Sequence, residues 1–152
     1  FRDNWFHAIS HSDVLCCLLD KLSVLRACRA AVREDGKMIF SVILTSPNLS
    51  KSEYEEAVEN GPSFISADDT YPNLLRQAGW ELVEQVSLMK EVLETLRVML
   101  ENELSHARDL ENLLGKEETS MRLCRSYSYI NAVERGLIRR DLFHAIPRGL
   151  AG

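Results

Sequence analysis

The segment at positions 5–44 constrains the fold more than any other stretch of this 152-residue sequence. It contains an apolar run at 5–10, a short polar break, a helical pattern at 21–32, a turn sequence, and an apolar, partly β-branched run at 38–44. Two apolar runs joined by an amphipathic helix are typical of a strand–helix–strand unit with parallel strands. The sequence therefore predicts an α/β fold.

The polar segments that directly follow the two predicted strands are the first candidate sites. The second strand is apolar at almost every position, as expected of a strand inside a sheet with both faces covered. Ligands of open parallel sheets lie beyond the carboxyl ends of the strands, so we expect chemistry at 10–13 and at 45–48. The first of these segments consists of Ser10, His11, Ser12 and Asp13.

The pattern after position 32 continues the alternation of strands and helices. The sequence predicts a turn at 34–37 that contains Gly36, a residue free to adopt a positive φ. The further predicted elements are a surface helix at 53–59, a helix at 71–78, a strand at 80–88 and a last, antiparallel strand at 138–146.

An insertion at 89–135 separates the last two strands. Leucine, methionine and alanine recur there every three or four residues, which predicts one continuous helix at 89–114, about 40 Å long at about 1.5 Å per residue. A second helix is predicted at about 117–135, with a hairpin of the two helices folded over the ligand edge of the sheet. The expected inward residues of the second helix are Met121, Cys124, Tyr127 or Ser128, Ala132 and Val133.

Composition excludes several function classes. A formal net charge of −5 and a pI near 5.4 argue against a general nucleic-acid binder, which needs clustered Lys and Arg for its phosphate contacts. The sequence has no apolar run near twenty residues and no signal-peptide pattern, so we expect neither a membrane span nor export. The four cysteines show no disulfide framework, which favours reduced thiols in the cytoplasm.

The histidines and cysteines near the first strand do not have metal-ligand spacing. His7 and His11, four residues apart on a strand, would be about 13 Å from each other at about 3.3 Å per residue, too far for one ion. We therefore predict no metal site. Cys16 and Cys17 are expected to pack as small apolar residues.

Three segments resemble the class I S-adenosylmethionine-dependent methyltransferases. The sequence FHAISHSDVLCCLLDKLSVLRACRAAVREDGKMIFSVI, at 6–43, is similar to the family's fourth strand, the helix that follows it and the fifth strand. YPNLLRQAGW, at 71–80, resembles the helix before the sixth strand, and GLIRRDLFHAI, at 136–146, resembles the last strand.

The resemblance implies a partial Rossmann-like methyltransferase sheet with strands four to seven, the last one antiparallel, and an inserted helical hairpin at 89–135. Residues 1–152 would be the carboxyl-terminal half of the domain, because neither the glycine-rich G-x-G-x-G loop nor the ribose-binding acidic residue has a counterpart here. Both are expected upstream of Phe1. The sequence departs from the F-D-x-[IV] pattern of the family's fourth strand, since His7 stands at the aspartate position.

The resemblance also implies site residues. Its segment at 10–13 matches the one that meets the methionine part of S-adenosylmethionine, so we expect the cofactor to contact Ser10, His11, Ser12 and Asp13. A plain solvated connection is the alternative. We expect the methyl acceptor to contact Tyr127, Tyr129 and His106, although the tyrosines could belong to the core and the histidine to the surface. The candidates for a general base are His11, His106 and His144; no catalytic residue is assigned.

The sequence thus predicts S-adenosylmethionine-dependent methyl transfer to a small-molecule acceptor by a longer protein, with this chain alone inactive and binding the cofactor weakly or not at all. A possible homodimer would form through the inserted helices, whose apolar stripe could also be a substrate lid or a plain cover of the sheet. Two other hypotheses remain open: a non-catalytic helical interaction module, and a degenerate or truncated enzyme.

Overall fold

The computed structural model of the chain describes residues 2–149 and separates them into two compact units. The sheet unit comprises residues 2–44, 62–87 and 140–149, and the helical unit comprises residues 45–61 and 88–139. No helix of the described part of the chain is long and apolar enough to cross a membrane.

Four strands form one sheet in the order β1-β2-β4-β3. They are β1 (Phe6–Ser12), β2 (Val32–Thr45), β3 (Trp80–Ser87) and β4 (Ile138–Pro147). β1 and β2 are parallel, whereas β4 runs antiparallel to both of its neighbours. The predicted α/β class and the antiparallel last strand are confirmed.

Two helices of the sheet unit begin after an N-cap residue whose side chain accepts a hydrogen bond from a backbone N–H of the first turn. In α1 (Lys21–Ala31), the Asp20 carboxylate accepts a hydrogen bond of 2.9 Å from the backbone N–H of Ser23. In α3 (Tyr71–Gln77), the cap is Thr70. Together with the strands, these helices enclose an apolar core that includes Leu15, Leu25, Val32, Met38, Phe40, Val42, Tyr71, Leu75, Trp80, Phe143 and Ala145.

The predicted turn at 34–37 is part of β2, and Gly36 does not have a positive φ. The pairing with β1 shifts there, because Phe6 lies opposite Val32 but Ala8 lies opposite Lys37. A Cβ atom on Gly36 would lie 2.8 Å from the His7 carbonyl oxygen and 2.5 Å from Val32 Cγ1. Glycine is therefore required here by the close approach of two chain segments at a β-bulge.

The predicted continuous helix at 89–114 is wrong, because it is interrupted at His106. The helical unit has α4 (Met89–Ser105) and α5 (Ala107–Leu114) in its place. The Asn102 carbonyl accepts hydrogen bonds from the His106 amide at 3.1 Å and from the Ser105 hydroxyl at 3.0 Å. Side-chain groups that bind backbone carbonyls compete with the regular helix, which a hydrophobic period does not reveal.

The remaining helices of this unit are α2 (Lys51–Asn60), which begins with a capping box of Ser50 and Glu53, and α6 (Lys116–Glu134). Most of the inward face predicted for α6 is wrong: Met121, Cys124, Tyr127 and Ser128 are exposed. The residues of α6 that are buried are Thr119, Ile130, Ala132 and Val133. The inward face contains polar residues, among them Ser126, whose hydroxyl donates to a Glu103 oxygen at 2.7 Å, and this polarity hid the face in the sequence.

Candidate functional site

Asp13 lies directly after β1 and has an unusual backbone conformation. Its φ is +54°, in the left-handed region that residues with a side chain seldom adopt. Its N–H donates to the Ser41 carbonyl oxygen at 2.8 Å, and its own carbonyl accepts from the thiols of Cys16 at 3.2 Å and Cys17 at 3.5 Å. The turn at the carboxyl end of β1 is thus fixed by neighbours on both sides.

The Asp13 carboxylate is bound by Arg140 of β4. The guanidinium donates from Nε to Oδ1 at 3.1 Å, and its Nη2 lies 2.7 Å from Oδ2. Nη2 also donates to the hydroxyl of Ser12 at 2.8 Å and to that of Ser41 at 3.1 Å, and these two hydroxyls are 2.9 Å apart. We call Ser12, Asp13, Ser41 and Arg140 the polar cluster.

Sheet topology explains why these four residues meet. Ser12 and Ser41 are register partners on the parallel strands β1 and β2. Because β4 runs antiparallel, its beginning lies at the sheet edge where the parallel strands end. The Arg140 and Asp13 side chains are 30% and 29% exposed, so water screens the ion pair in part and its strength comes from the two-pronged geometry.

His11 points to the opposite face of β1 from the polar cluster's Ser12, as alternation along a strand requires. Its ring stacks on Phe40 at 4.9 Å, and Phe40 stacks in turn on Phe143 at 5.1 Å. Within the described residues, neither ring nitrogen of His11 has a hydrogen-bond partner, although both are buried. Burial lowers the pKa of His11, against the smaller opposing effect of the Asp13 charge. The ring is therefore neutral near pH 7.

The four residues expected at the cofactor are contiguous, but their side chains diverge. Ser10 is exposed, Ser12 and Asp13 belong to the polar cluster, and His11 joins the aromatic stack. The backbone of the segment, the hydroxyls of Ser10 and Ser12, and the partly exposed carboxylate of Asp13 are the groups that a ligand at this edge can reach.

Of the two cysteines next to this segment, Cys17 is exposed, so the prediction that it packs as a small apolar residue is wrong. Cys16 is buried, and burial raises its thiol pKa to about 11. Its S–H is bound to the Asp13 carbonyl oxygen, which also favours the protonated form. Among residues 2–149, no three His, Cys, Asp or Glu side chains are grouped as metal ligands would be.

The three residues expected at the acceptor belong to the helical unit and are not brought together. Tyr127 and Tyr129 line two different cavities, of about 400 Å³ and 180 Å³. His106 lines neither of these cavities, and its Nδ1 lies 2.9 Å from the Asn102 carbonyl oxygen at the break between α4 and α5. The larger cavity is lined by Glu56, Asn60, Tyr127, Ser128, Ile130, Asn131 and Glu134.

Sequence reasoning missed Ser41 and Arg140. Ser41 stands inside an otherwise apolar strand, and a lone polar residue there was a usable signal. Arg140 could have been found from the antiparallel last strand, because that direction brings its first residues to the edge where β1 and β2 end.

Comparison with known proteins identifies the fold. No protein-family model and no curated protein matches the chain. Among solved structures, a protein from Galdieria sulphuraria assigned as a sarcosine dimethylglycine methyltransferase is similar with a TM-score of 0.81 and 15% identity, over 95% of this chain and 54% of that one.

Two further solved structures contain S-adenosylhomocysteine. Phosphoethanolamine N-methyltransferase 2 of Haemonchus contortus matches with a TM-score of 0.74 and 17% identity, over 98% of this chain and 35% of that one. A mycolic acid cyclopropane synthase matches with a TM-score of 0.76 and 12% identity, over 94% and 56%. The chain thus spans from about a third to just over half of the length of these structures. It has the fold of part of a class I S-adenosylmethionine-dependent methyltransferase domain.

Proposed function

We propose that the chain takes part in S-adenosylmethionine-dependent methyl transfer to a small-molecule acceptor, as part of a longer protein. The observation that carries the proposal is the position of residues 10–13: β1 continues past the predicted strand end at Ser10 to Ser12, so the segment forms the carboxyl end of β1 and the residue after it. This end lies at the ligand edge of a sheet with the strand order and directions of the methyltransferase fold. Similar structures hold S-adenosylmethionine or S-adenosylhomocysteine, and their names refer to small acceptors such as phosphoethanolamine and geranyl diphosphate.

The chemistry of the segment is compatible with the methionine part of the cofactor, which carries an ammonium and a carboxylate group. Ser10 and Ser12 offer exposed hydroxyls, and Asp13 offers a partly exposed carboxylate that can attract a cation. When bound, the cofactor supplies a methyl group that its sulfonium has already activated. This chain's residues then need only to bind, orient and exclude water.

A proton must be removed only if the acceptor carries one at its reacting atom. Of the histidines proposed for this task, His11 is the one within the cofactor segment, and burial keeps its ring in the neutral form that accepts a proton. His144 is another candidate, and its Nε2 is buried without a hydrogen-bond partner among the described residues. His106 is the third, at the break between α4 and α5.

For the acceptor, we propose the cavity that contains Tyr127. Its volume of about 400 Å³ is in the range of small-molecule sites, and carboxylate, amide and hydroxyl groups line it. Tyr129 and His106 remain proposed contacts of the acceptor. The cavity that contains Tyr129 is lined mainly by apolar residues, including Leu96, Met99 and Leu100.

Calorimetric titration of S-adenosylmethionine tests the proposal. It compares the 152-residue chain with a version lengthened by the coding sequence upstream of Phe1. We expect clear binding by the longer protein and weak or no binding by the shorter one, which has no glycine-rich loop. Tight binding by the short chain would overturn the half-domain proposal, and no binding by the longer protein would overturn the proposed function.

We also propose that the protein works in the cytoplasm.

A second function, that of a helical interaction module or homodimer, is favoured by apolar side chains on the outside of α4. Val98 and Met99 are more than half exposed. If they form an interface, sedimentation analysis should find a dimer that Val98→Lys and Met99→Lys convert to monomer. Leu104→Lys, at an exposed leucine on a different side of the same helix, is the matched control. A monomer at all concentrations would exclude this alternative.

A further inference from the structure

The left-handed backbone of Asp13 requires support from its surroundings. Aspartate visits the left-handed region more readily than most residues with a side chain, but a φ of +54° still has an energetic cost that contacts with neighbouring groups offset. The amide is bound by Ser41 and the carbonyl by two thiols, but thiols are weak donors. The strongest remaining contact of Asp13 is therefore the one between its carboxylate and Arg140.

Arg140 is itself held in place by hydrogen bonds to the two parallel strands, β1 and β2. Its Nη2 donates to Ser12 of β1 and Ser41 of β2, while Nε and Nη2 grip the two oxygens of Asp13. A flexible surface pair lacks such a frame and contributes little. Here the guanidinium connects the end of β1, its neighbour β2 and the following turn to the start of β4.

We infer that Arg140 is a positioning residue for cofactor binding: by holding the Asp13 carboxylate, it fixes the left-handed turn and thereby the conformation of the segment at 10–13. This inference rests on the proposed function. Arg140 acts through Asp13, and it is assigned no contact with the cofactor.

Hydrogen exchange of the 152-residue chain tests whether the contact between Arg140 and Asp13 fixes the turn, and it does not require any activity. In Arg140→Gln, the Asp13 amide should exchange with solvent about tenfold faster, because hydrogen bonds to charged groups that hold its turn are lost. Arg140→Lys should give an intermediate rate, since an ammonium cannot bind both oxygens in the same planar geometry. Arg148→Gln, at an exposed residue just after β4, is the control and should leave the rate unchanged.

Binding of S-adenosylhomocysteine by the upstream-lengthened protein then tests the role in function. We expect Arg140→Gln to weaken binding about tenfold and Asp13→Asn at least as much, with the double variant no weaker than Asp13→Asn alone, because Asp13→Asn already removes the contact with Arg140. Arg148→Gln should bind normally. Such non-additivity separates positioning through Asp13 from a general loss of structure, and circular dichroism verifies that each variant is folded.

The outcomes are distinguishable. If the unmodified long protein does not bind S-adenosylhomocysteine, the proposed function fails and this inference fails with it. If that protein binds but Arg140→Gln binds equally well, the inference is overturned and the proposed function stands. Should Arg140→Gln not fold, Asp13→Asn and Arg140→Lys decide: normal binding by both overturns the inference.

Discussion

The sheet unit and the helical unit are built in different ways. In the sheet unit, large side chains such as Trp80, Phe40 and Phe143 are fully buried. In the helical unit, α5 has no buried residue, and side chains such as Leu113 face solvent. Buried apolar area is the main source of stability, so the sheet unit should resist local opening while α5 opens readily. A candidate ligand site at the edge of the sheet unit therefore has a rigid support.

The largest expected effect is that of Trp80→Ala. Trp80 is 1% exposed and its indole N–H donates to the Leu25 carbonyl oxygen at 2.9 Å. We expect the free energy of unfolding to fall by about 3–5 kcal/mol, measured by urea denaturation followed by circular dichroism. Trp5→Ala, at an exposed tryptophan, should change it by less than about 1 kcal/mol. Equal losses would contradict the difference in burial.

Glycine substitutions sharpen the comparison through two different mechanisms. Gly36→Ala in the sheet unit should cost about 1–3 kcal/mol, because a Cβ atom would collide with the His7 carbonyl oxygen. Gly115→Ala in the helical unit should cost about 1–2 kcal/mol, because Gly115 has a φ of +87° with open space around it.

Side-chain size distinguishes crowding from backbone strain. Gly115 has a ψ of 159° as well as a positive φ, a conformation that only glycine adopts readily, so Gly115→Ala and Gly115→Asn should cost about the same. Gly36→Asn should be worse than Gly36→Ala, since the side chain is larger. Thermal unfolding of the four variants measures both differences, and equal costs of alanine and asparagine at Gly36 would refute the assignment of crowding to Gly36.

His11 should make the sheet unit sensitive to acid. Burial lowers its folded-state pKa below the ordinary 6.5, so the unfolded chain binds more protons between that lowered value and pH 6.5. This contribution to stability is present above pH 6.5 and is lost as the pH falls below it. His11→Phe should flatten the decline of the melting temperature below pH 6.5, whereas His7→Phe, at an exposed histidine, should leave it unchanged. Parallel profiles for the native protein and His11→Phe would contradict this.

The smallest effects are expected where both units expose leucine equally. Leu19 in the sheet unit and Leu113 in the helical unit are each 80% exposed. Leu19→Lys and Leu113→Lys should each change the free energy of unfolding by less than about 0.5 kcal/mol. Urea denaturation measures both changes. A large loss of unfolding free energy in one variant would mean that its leucine makes a stabilising contact despite its exposure.

Much of the sheet unit was predictable because its strands contain apolar runs bounded by polar residues. The strands at 6–12 and 80–87 differ from the predicted ranges by at most two residues at either end, whereas β2 begins at Val32, well before its predicted start at 38. The bulge at Gly36 was not predictable, because the close approach of His7 depends on strand pairing, which the local pattern of the turn does not contain.

The helical unit was less predictable because its periodicity is ambiguous. A helix with polar inward residues such as Ser126 and exposed apolar residues such as Met121 has an apolar stripe in its sequence that does not coincide with its buried face. At the candidate site, the segment at 10–13 was found from topology alone. The pairing of Asp13 with Arg140 joins residues far apart in the sequence, and this pairing required the observed strand order.

The strand order also has a consequence for synthesis on the ribosome. β4 is made after the other three strands, yet it lies between β2 and β3. About fifty residues separate the end of β3 from the start of β4, so at about 5–20 residues per second the nascent sheet stays open for about 3–10 seconds. During that interval β2 and β3 present unpaired edges, and chaperones that shield such edges should matter more for this chain's yield than for a protein whose strands pair in order.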